Sequence, residues 1–251
     1  MIDNRARSGI VPPSQRPRRE APRRTAIQHD LHGRVARDLA TAILRGDYAP
    51  ESILPREAEL MDAFGVSRTV LREALRTLTS KGLIESRPRV GTRVRARAAW
   101  NLLDADLLEW YSKVAPPVEF ALKLQEMREM IEPHAAALAA ASHADTTFAT
   151  LDAAHTAMVA ARNVDEWVRA DLRFHLSVLA ACSNELLVPL GTLIERTLEG
   201  QLRLNAKRAD VFNASLAEHT AVFVAIRDRD ADAARSAMAA LLGVTRGRIE
   251  A

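Results

Sequence analysis

The sequence predicts a mainly α-helical protein with two parts: an N-terminal winged helix-turn-helix, which is α-helical with a small β-hairpin wing, and a C-terminal all-α helical bundle. Two observations predict this fold class. Residues 54–94 contain, in order, a short helix, a tight turn, a capped second helix and a basic hairpin. After residue 99 the sequence becomes rich in alanine and leucine and shows no alternating strand pattern.

The first part begins with a short helix, predicted over residues 57–63, and a tight turn. Ser67 follows as the N-cap of a second helix. Because the third helical position is Val70 rather than Glu, this is a simple cap and not a capping box. Lys81 and Gly82 are expected to end the second helix.

The second helix has an apolar face and a face suited to DNA. The apolar residues recur at helical spacing and are predicted to be buried: Val66, Val70, Leu71, Ala74, Leu75 and Leu78. Arg68, Thr69 and Arg72 occupy the first turns of the other face. Arginine bonds the O6 and N7 atoms of guanine, threonine offers a hydroxyl and a methyl group, and a helix N-terminus attracts phosphate. The alternative is that these side chains only solvate an exposed face.

Two short strands, residues 83–86 and 92–94, are predicted to pair around a basic tip that contains Arg89 and Gly91. Such a tip suits a minor groove or a run of phosphates. Positive charge is concentrated in the same half of the chain. Residues 1–98 hold 20 Lys and Arg against 11 Asp and Glu, whereas the rest holds 15 against 21. Counterion release at a phosphate backbone favours this placement.

Residues 31–94 resemble the DNA-binding domain of the GntR family of bacterial transcription regulators. The matching segments are ILRGDYAPESILPREAEL, FGVSRTVLREALRTL and KGLIESRPRVGTRV. The resemblance implies that Gly91 lets the wing approach the DNA backbone. It also implies that four residues contact the operator: Ser67, Arg68, Thr69 and Arg72. Glu51 stands where the family usually has glycine, and Ala58 where some members carry a DNA-contacting arginine.

We predict three regions: a basic disordered arm (1–28), the winged helix (29–98) and an all-α effector-binding and dimerisation domain (99–251). The arm has four prolines among seven arginines and too little apolar content to fold alone. It is either a flexible contact to DNA phosphates or a solubilising extension. A single cysteine, Cys182, and the absence of a membrane-spanning apolar run or a signal-peptide pattern predict a cytoplasmic protein.

The third region is predicted to contain seven helices, near residues 101–113, 118–141, 145–161, 164–182, 185–205, 214–228 and 230–248. Helical bundles build ligand and metal sites between facing helices. Asp171 and His175 are four residues apart, on one face of a predicted helix, and His219 can supply a third ligand from another helix. The alternative for the first two residues is an ordinary salt bridge or surface pair.

Residues 102–248 resemble the FCD effector domain of the FadR subfamily, in the segments MREMIEP, ADLRFHLSVLAACSNELL and SLAEHTAVFVAIRDRDADAARSAMAALL. The resemblance implies that the domain binds a divalent metal ion, with zinc as the expected ion, beside an organic acid. Asp171, His175 and His219 match three of the four family ligands, whereas the fourth position falls near Leu241, which cannot ligate. Either water or the effector completes a three-ligand site, or the pocket holds no metal and these groups bond the effector directly.

Arg128, within MREMIEP, is the residue we expect to meet the effector's carboxylate, because a buried arginine needs an anionic partner and its planar fork fits a carboxylate. An internal salt bridge to Glu132 or Glu126 is the alternative. Arg203 and Arg246 are weaker candidates, and they are expected to be surface charge if the pocket opens elsewhere.

The predicted function is a ligand-controlled transcription regulator, a repressor that binds double-stranded operator DNA as a homodimer and needs no membrane. The segment WNLLDADLLEW, residues 100–110, resembles galactonate-responsive repressors of the same subfamily, which implies a sugar acid as effector. The alternative is a metal-dependent enzyme that uses Asp171, His175 and His219, with the winged helix as an accessory. No nucleophile elbow, phosphate loop or HExxH motif supports that alternative, so we predict that the protein is not an enzyme.

Overall fold

The computed structural model describes residues 24–191, 195 and 211–250. The helices are α1 (Arg24–Arg45), α2 (Glu57–Phe64), α3 (Arg68–Ser80), α4 (Ala105–Val114), α5 (Pro117–Ser142), α6 (Asp145–Ala160), α7 (Val164–Ala181), α8 (Val211–Arg227) and α9 (Ala231–Glu250). The strands are β1 (Ile84–Arg87) and β2 (Gly91–Val94), which form the single sheet of the described residues. The predicted fold class, mainly α with a two-stranded wing, is confirmed.

Helix α1 begins inside the predicted arm. Residues 1–23 lie outside the described residues, whereas residues 24–28 belong to α1, so helical structure starts before the predicted boundary at residue 28. This helix was not among the predicted elements of the winged helix, although it packs against α3. Fully buried side chains from both helices and from β1 form the core beneath the wing: Leu39, Ile43, Leu71, Leu78 and Ile84. α1 thus supports the buried face of α3.

The turn between α2 and α3 has the predicted chemistry. Gly65 ends α2 in a left-handed conformation, with φ of 63°, which glycine adopts without steric cost. Ser67 caps α3, and its hydroxyl oxygen lies 3.4 Å from the Val70 backbone nitrogen that donates to it. The helix then runs to Ser80, with Lys81 at its C-cap as predicted. Both bounds of α3 were therefore readable from local sequence.

The wing is a four-residue antiparallel pairing in which Ile84 lies opposite Val94, and both are buried. Glu51, the residue that stands where the family usually has glycine, has a φ of 70°, in the left-handed region that favours glycine. Its carboxylate lies 2.8 Å from Nη1 of Arg93 in β2. This ion pair ties the segment before α2 to the wing.

The hydrophobic core of the winged helix extends past the predicted domain boundary at residue 98. Trp100, Leu107, Tyr111 and Phe120 all belong to the buried cluster formed by α1 and α3. Helix α4 starts at Ala105, later than predicted, because the Asp104 side chain caps it by accepting from the Leu107 backbone nitrogen at 3.0 Å. Helix α4 therefore completes the core of the winged helix, and α5, whose first turn contains Phe120, continues from this core into the bundle.

Lys81 links the end of α3 to the start of α4. Its side chain is buried, and Nζ lies 2.6 Å from Oδ1 of Asp104 and 2.9 Å from Oδ2 of Asp106. Burial by itself would lower the pKa of Lys81, but the hydrogen bonds and charges of the two carboxylates outweigh it and raise that pKa. Burial by itself would raise the pKa of Asp104. That pKa is nevertheless lowered, because Lys81 and the Leu107 amide donate hydrogen bonds to the charged carboxylate. Lys81 was expected only to end α3, but its two ion pairs also connect the end of α3 to the start of α4. We call this group of Lys81, Asp104 and Asp106 the ionic anchor.

We expect this anchor to make stability depend on pH at both extremes. The Asp104 contribution is present above the ordinary pKa of 3.8 and is lost as pH falls through its lowered value. The Lys81 contribution is present below 10.5 and is lost as pH rises through its raised value. Asp104→Asn should lower the free energy of unfolding at neutral pH by about 1 kcal/mol and remove most of that acid-side dependence.

Urea denaturation from pH 2 to 7 measures this effect. Asp232→Asn is the matched control, because the Asp232 side chain is 96% exposed and its carboxylate lies 3.9 Å from Arg235. Parallel pH profiles for Asp104→Asn and the wild type would contradict the anchor.

The bundle brings α5, α7 and α8 together, because α5 packs against α9, α7 and α8. Its core combines small residues of α5 with larger ones of the other helices, including Ala136, Leu151, Phe174, Val222 and Met238. The helix predicted over 185–205 is helical from 188 to 191, after a turn at 185–187, and most of it lies outside the described residues. None of the described helices is long and apolar enough to cross a membrane.

Candidate functional site

The face of α3 that the sequence predicts to read DNA is exposed. Ser67, Arg68, Thr69 and Arg72 are all exposed, while the apolar residues of the same helix are buried. Arg68, Thr69 and Arg72 line a surface groove of about 270 Å³. Arg76, one turn further along, pairs with Glu73 at 2.7 Å, whereas no ion pair is formed by Arg68 or Arg72 within the described part of the chain. Their guanidinium groups are thus available at a helix N-terminus.

The hairpin tip presents the two wing residues that sequence analysis named. Arg89 is exposed, with a φ of 64°, and Gly91 is exposed, with a φ of 111°. Arg87 and Arg93 are both neutralised by Glu85, at 2.8 and 3.1 Å. Ala58 lies exposed on α2 and offers no charged group. Among the wing arginines, Arg89 is thus the one without an ion pair in the described residues.

Asp171, His175 and His219 meet in the interior of the bundle. All three are buried, and one ligand atom from each lies within 4.8 Å of the others. Oδ1 of Asp171 lies 2.9 Å from Nε2 of His219 and 3.9 Å from Nε2 of His175. The i,i+4 spacing on α7 had suggested the first pair, and the bundle supplies the third group from α8.

The two imidazoles have the orientation of metal ligands. Nδ1 of His219 lies 2.6 Å from the Ser215 carbonyl oxygen, and Nδ1 of His175 lies 2.5 Å from Oε2 of Glu132. Both Nε2 atoms therefore face Asp171, and the buried Nε2 of His219 makes no hydrogen bond of acceptable geometry within the described residues. One carboxylate and two imidazoles, each imidazole oriented through its other nitrogen, fit a divalent transition metal such as zinc.

Glu132 is the site residue that the sequence analysis treated only as a salt-bridge partner. It is fully buried, and its Oε1 accepts a hydrogen bond from Nε of Arg128 at 2.6 Å. The internal salt bridge given as the alternative for Arg128 is thus present. Burial would raise the pKa of Glu132, but the charge of Arg128 and the hydrogen bonds of Arg128 and His175 outweigh it and lower that pKa to about 2.

Asp171 is also held in its charged form. Burial would raise the pKa of its carboxyl, yet the close approach of His219, whose Nε2 lies 2.9 Å away, and the charge of Arg128 lower it well below the usual range. Aromatic rings enclose the group, since Phe174 and Trp167 contact His219 edge-on, with ring centroids 5.1 and 6.0 Å away. The result is a buried, charged and structured polar site.

The other predicted effector residues are Arg246 and Arg203, and the fourth family ligand was expected near Leu241. Arg246 bonds both oxygens of Glu129, at 2.7 and 2.9 Å, and this pairing raises the pKa of Arg246. It therefore joins α9 to α5 as a structural ion pair. Arg203 lies outside the described residues. Leu241 is 1% exposed and is part of the apolar core of the bundle.

The fold and the two sites define a DNA-binding protein of the winged-helix class that carries a helical domain with a buried polar site. Residues 31–94 match the family described as bacterial regulatory proteins, gntR family, and residues 123–243 match the FCD domain. The chain belongs to the GntR family of bacterial transcription regulators and contains an FCD domain, as its sequence motifs had predicted.

Relatives and a solved structure agree with this membership. An Escherichia coli protein named as an uncharacterized HTH-type transcriptional regulator, YieP, is 35% identical over 86% of this chain and 94% of its own length. The galactonate operon transcriptional repressor of Escherichia coli is 33% identical over 86% of this chain and 96% of its own. A structure of Lar, described as controlling expression of the Listeria monocytogenes agr system, has the same fold: it covers 88% of this chain and 96% of its own, with a TM-score of 0.61 and 19% identity.

Proposed function

We propose that this regulator is a repressor that binds operator DNA as a homodimer and leaves it when a small organic acid occupies the bundle. The observation that carries the proposal is the exposure of Arg68, Thr69 and Arg72 at the N-terminus of a helix whose opposite face is buried. One winged helix covers one half-site, so a twofold dimer on an inverted repeat multiplies discrimination. Arg89 and Gly91 of the wing are proposed to contact the adjacent backbone.

A sugar acid is the effector class that we propose. The name of the galactonate operon repressor supports it, since that relative matches this chain over most of its length. Arg128 is buried and uses Nε on Glu132, and no hydrogen bond from its terminal amino groups is present in the described residues. A carboxylate fits such a guanidinium edge. We propose that the protein acts in the cytoplasm, where both such metabolites and DNA are present.

We propose that Asp171, His175 and His219 would hold a zinc ion beside this effector. When bound, the ion supplies a Lewis-acidic contact for carboxylate or hydroxyl oxygens. The protein's own residues supply the orientation, because Glu132 and Ser215 bond the far nitrogens of the two imidazoles. The site is proposed to bind and not to catalyse, in keeping with a family of transcription regulators. Recovery of sugar acids unchanged after incubation with zinc-loaded protein tests that distinction.

Arg68→Ala tests the DNA-reading face. A binding sequence is first selected from random duplexes, and it should be an inverted repeat. Loss of the Arg68 guanidinium should then weaken binding to the selected duplex by about 1 to 3 kcal/mol and relax the base preference, because a bidentate base contact is lost. Fluorescence anisotropy at fixed salt measures the affinity.

Arg235→Ala is the matched control, because it removes the same charge from the half-exposed surface of α9. Its affinity for the selected duplex should equal that of the wild type. An equal loss for Arg68→Ala on selected and random duplexes would show that Arg68 contacts phosphate only.

A further inference from the structure

Glu132 uses its two carboxylate oxygens on two different partners. Oε1 accepts from Nε of Arg128 at 2.6 Å, and Oε2 lies 2.5 Å from Nδ1 of His175. Glu132 and Arg128 lie one turn apart on α5, whereas His175 comes from α7. One fully buried side chain thus connects the arginine proposed for the effector with a histidine proposed for the metal.

The contact to Glu132 determines which nitrogen of His175 carries the proton. An ionised carboxylate only accepts hydrogen bonds, so the proton of a neutral His175 ring belongs on Nδ1. The lone pair then belongs to Nε2, which faces Oδ1 of Asp171. A histidine ligates metal through an unprotonated nitrogen, so this tautomer is the one that leaves the correct atom free.

The other oxygen of Glu132 determines how Arg128 is presented. Nε is the atom that bonds Glu132, and the guanidinium is planar, so the end edge formed by its two terminal amino groups is a second set of donors in the same plane. Glu132 already provides a negative charge next to Arg128, so the arginine can stay buried when no effector is bound. A second carboxylate can then bind at the terminal amino groups without displacing the first.

We propose that Glu132 is the positioning residue of this site: it holds His175 in the tautomer that ligates metal and holds Arg128 in the orientation that receives an effector carboxylate. This inference rests on the proposed function. It has a consequence for regulation, because two ligands that depend on one rigid side chain are energetically linked. Each should then raise the affinity of the other by the same factor.

Glu132→Gln is the variant that tests the positioning role. The amide keeps the shape of the carboxyl group, and its oxygen is expected to bond the charged Arg128. Its NH₂ group then faces Nδ1 of His175, which must become the acceptor, and the proton moves to Nε2. Zinc affinity, measured by competition with a chelating dye, should fall about 10- to 100-fold.

Glu129→Gln is the matched control for this measurement. Glu129 lies on the same helix, but its carboxylate bonds Arg246 and Gln125 and contacts none of the three proposed ligands. Its zinc affinity should equal that of the wild type. Equal affinities for the two glutamine variants would overturn the positioning role of Glu132.

Nitrogen-15 spectra of the imidazoles in metal-free protein give a second measurement. In the wild type the proton on Nδ1 of His175 should exchange slowly, and in Glu132→Gln it should be lost. An Nδ1 proton that exchanges equally fast in both proteins would overturn the inference. If the wild type binds no zinc, the proposed metal is wrong, while the spectra still decide the role of Glu132.

The single variant leaves a buried cation with a neutral partner, which endangers folding. Arg128→Met combined with Glu132→Met removes both charges and leaves no acceptor opposite Nδ1 of His175, so the spectra of that protein should show the loss of the slowly exchanging Nδ1 proton. Retention of that proton in the double variant would count against Glu132 as its acceptor.

Discussion

His175→Ala should weaken zinc binding by at least about 100-fold, because it removes one of three ligands from a site in which both imidazoles are held by a second contact. The same variant should lose the thermal stabilisation that sugar acids give in the presence of zinc. Its affinity for the selected operator duplex should be unchanged, since the α3 surface belongs to a separate hydrophobic core. Dye competition, thermal shift and anisotropy measure the three quantities.

His134→Ala is the matched control, because His134 is an exposed residue of α5. It should leave both zinc affinity and the effector response unaltered. If His175→Ala binds zinc as tightly as His134→Ala, the metal lies elsewhere or the pocket works without one. If operator affinity falls together with zinc affinity, the variant has damaged the fold and its melting temperature should show it.

Gly82→Ala should be among the most destabilising single substitutions in the chain. Gly82 has a φ of 74°, and a Cβ atom there would lie 2.5 Å from the carbonyl oxygen of Ala99. A left-handed conformation costs an alanine about 1 to 2 kcal/mol, and the clash with backbone adds to it, for a total of about 2 to 4 kcal/mol. Because Gly82 follows the buried Lys81, operator affinity should fall as well.

Gly243→Ala is the same chemical change, but it should have the opposite effect on the stability of the protein. Gly243 lies inside α9, and a Cβ atom there meets nothing within 4 Å. An alanine in a helix interior should stabilise the protein by about 0.5 to 1 kcal/mol. Urea denaturation of both variants gives the two free energies. A Gly82→Ala protein as stable as Gly243→Ala would mean that the loop at Ala99 moves freely away from α3.

Local sequence predicted most of the winged helix because its information is local. Ser67 at an N-cap, Gly65 in a left-handed turn and the apolar spacing of α3 each depend on neighbours within a few residues. The spacing of Asp171 and His175 was equally local. For that reason the caps, the turn and the first pair of the buried site could be read before any packing was known.

Contacts between distant residues could not be read in this way. Lys81 looked like an ordinary helix end, yet it is buried against Asp104 and Asp106, more than twenty residues away. The predicted boundary at residue 98 separated α4 from the core that it completes. A local sequence pattern does not specify which distant residues are buried together, so these features depend on tertiary packing.

Sequence patterns were enough to predict the class of fold, the exposed polar face of α3 and three polar groups of the bundle. The position of Glu132 between Arg128 and His175 depends on tertiary packing, and from the sequence it was expected only as a partner for Arg128. Forty-three residues separate Glu132 from His175, and their 2.5 Å contact exists only because α5 packs against α7. In a low-dielectric interior a charge must find its partners wherever the fold brings them, and those partners are set by three-dimensional packing and not by sequence spacing.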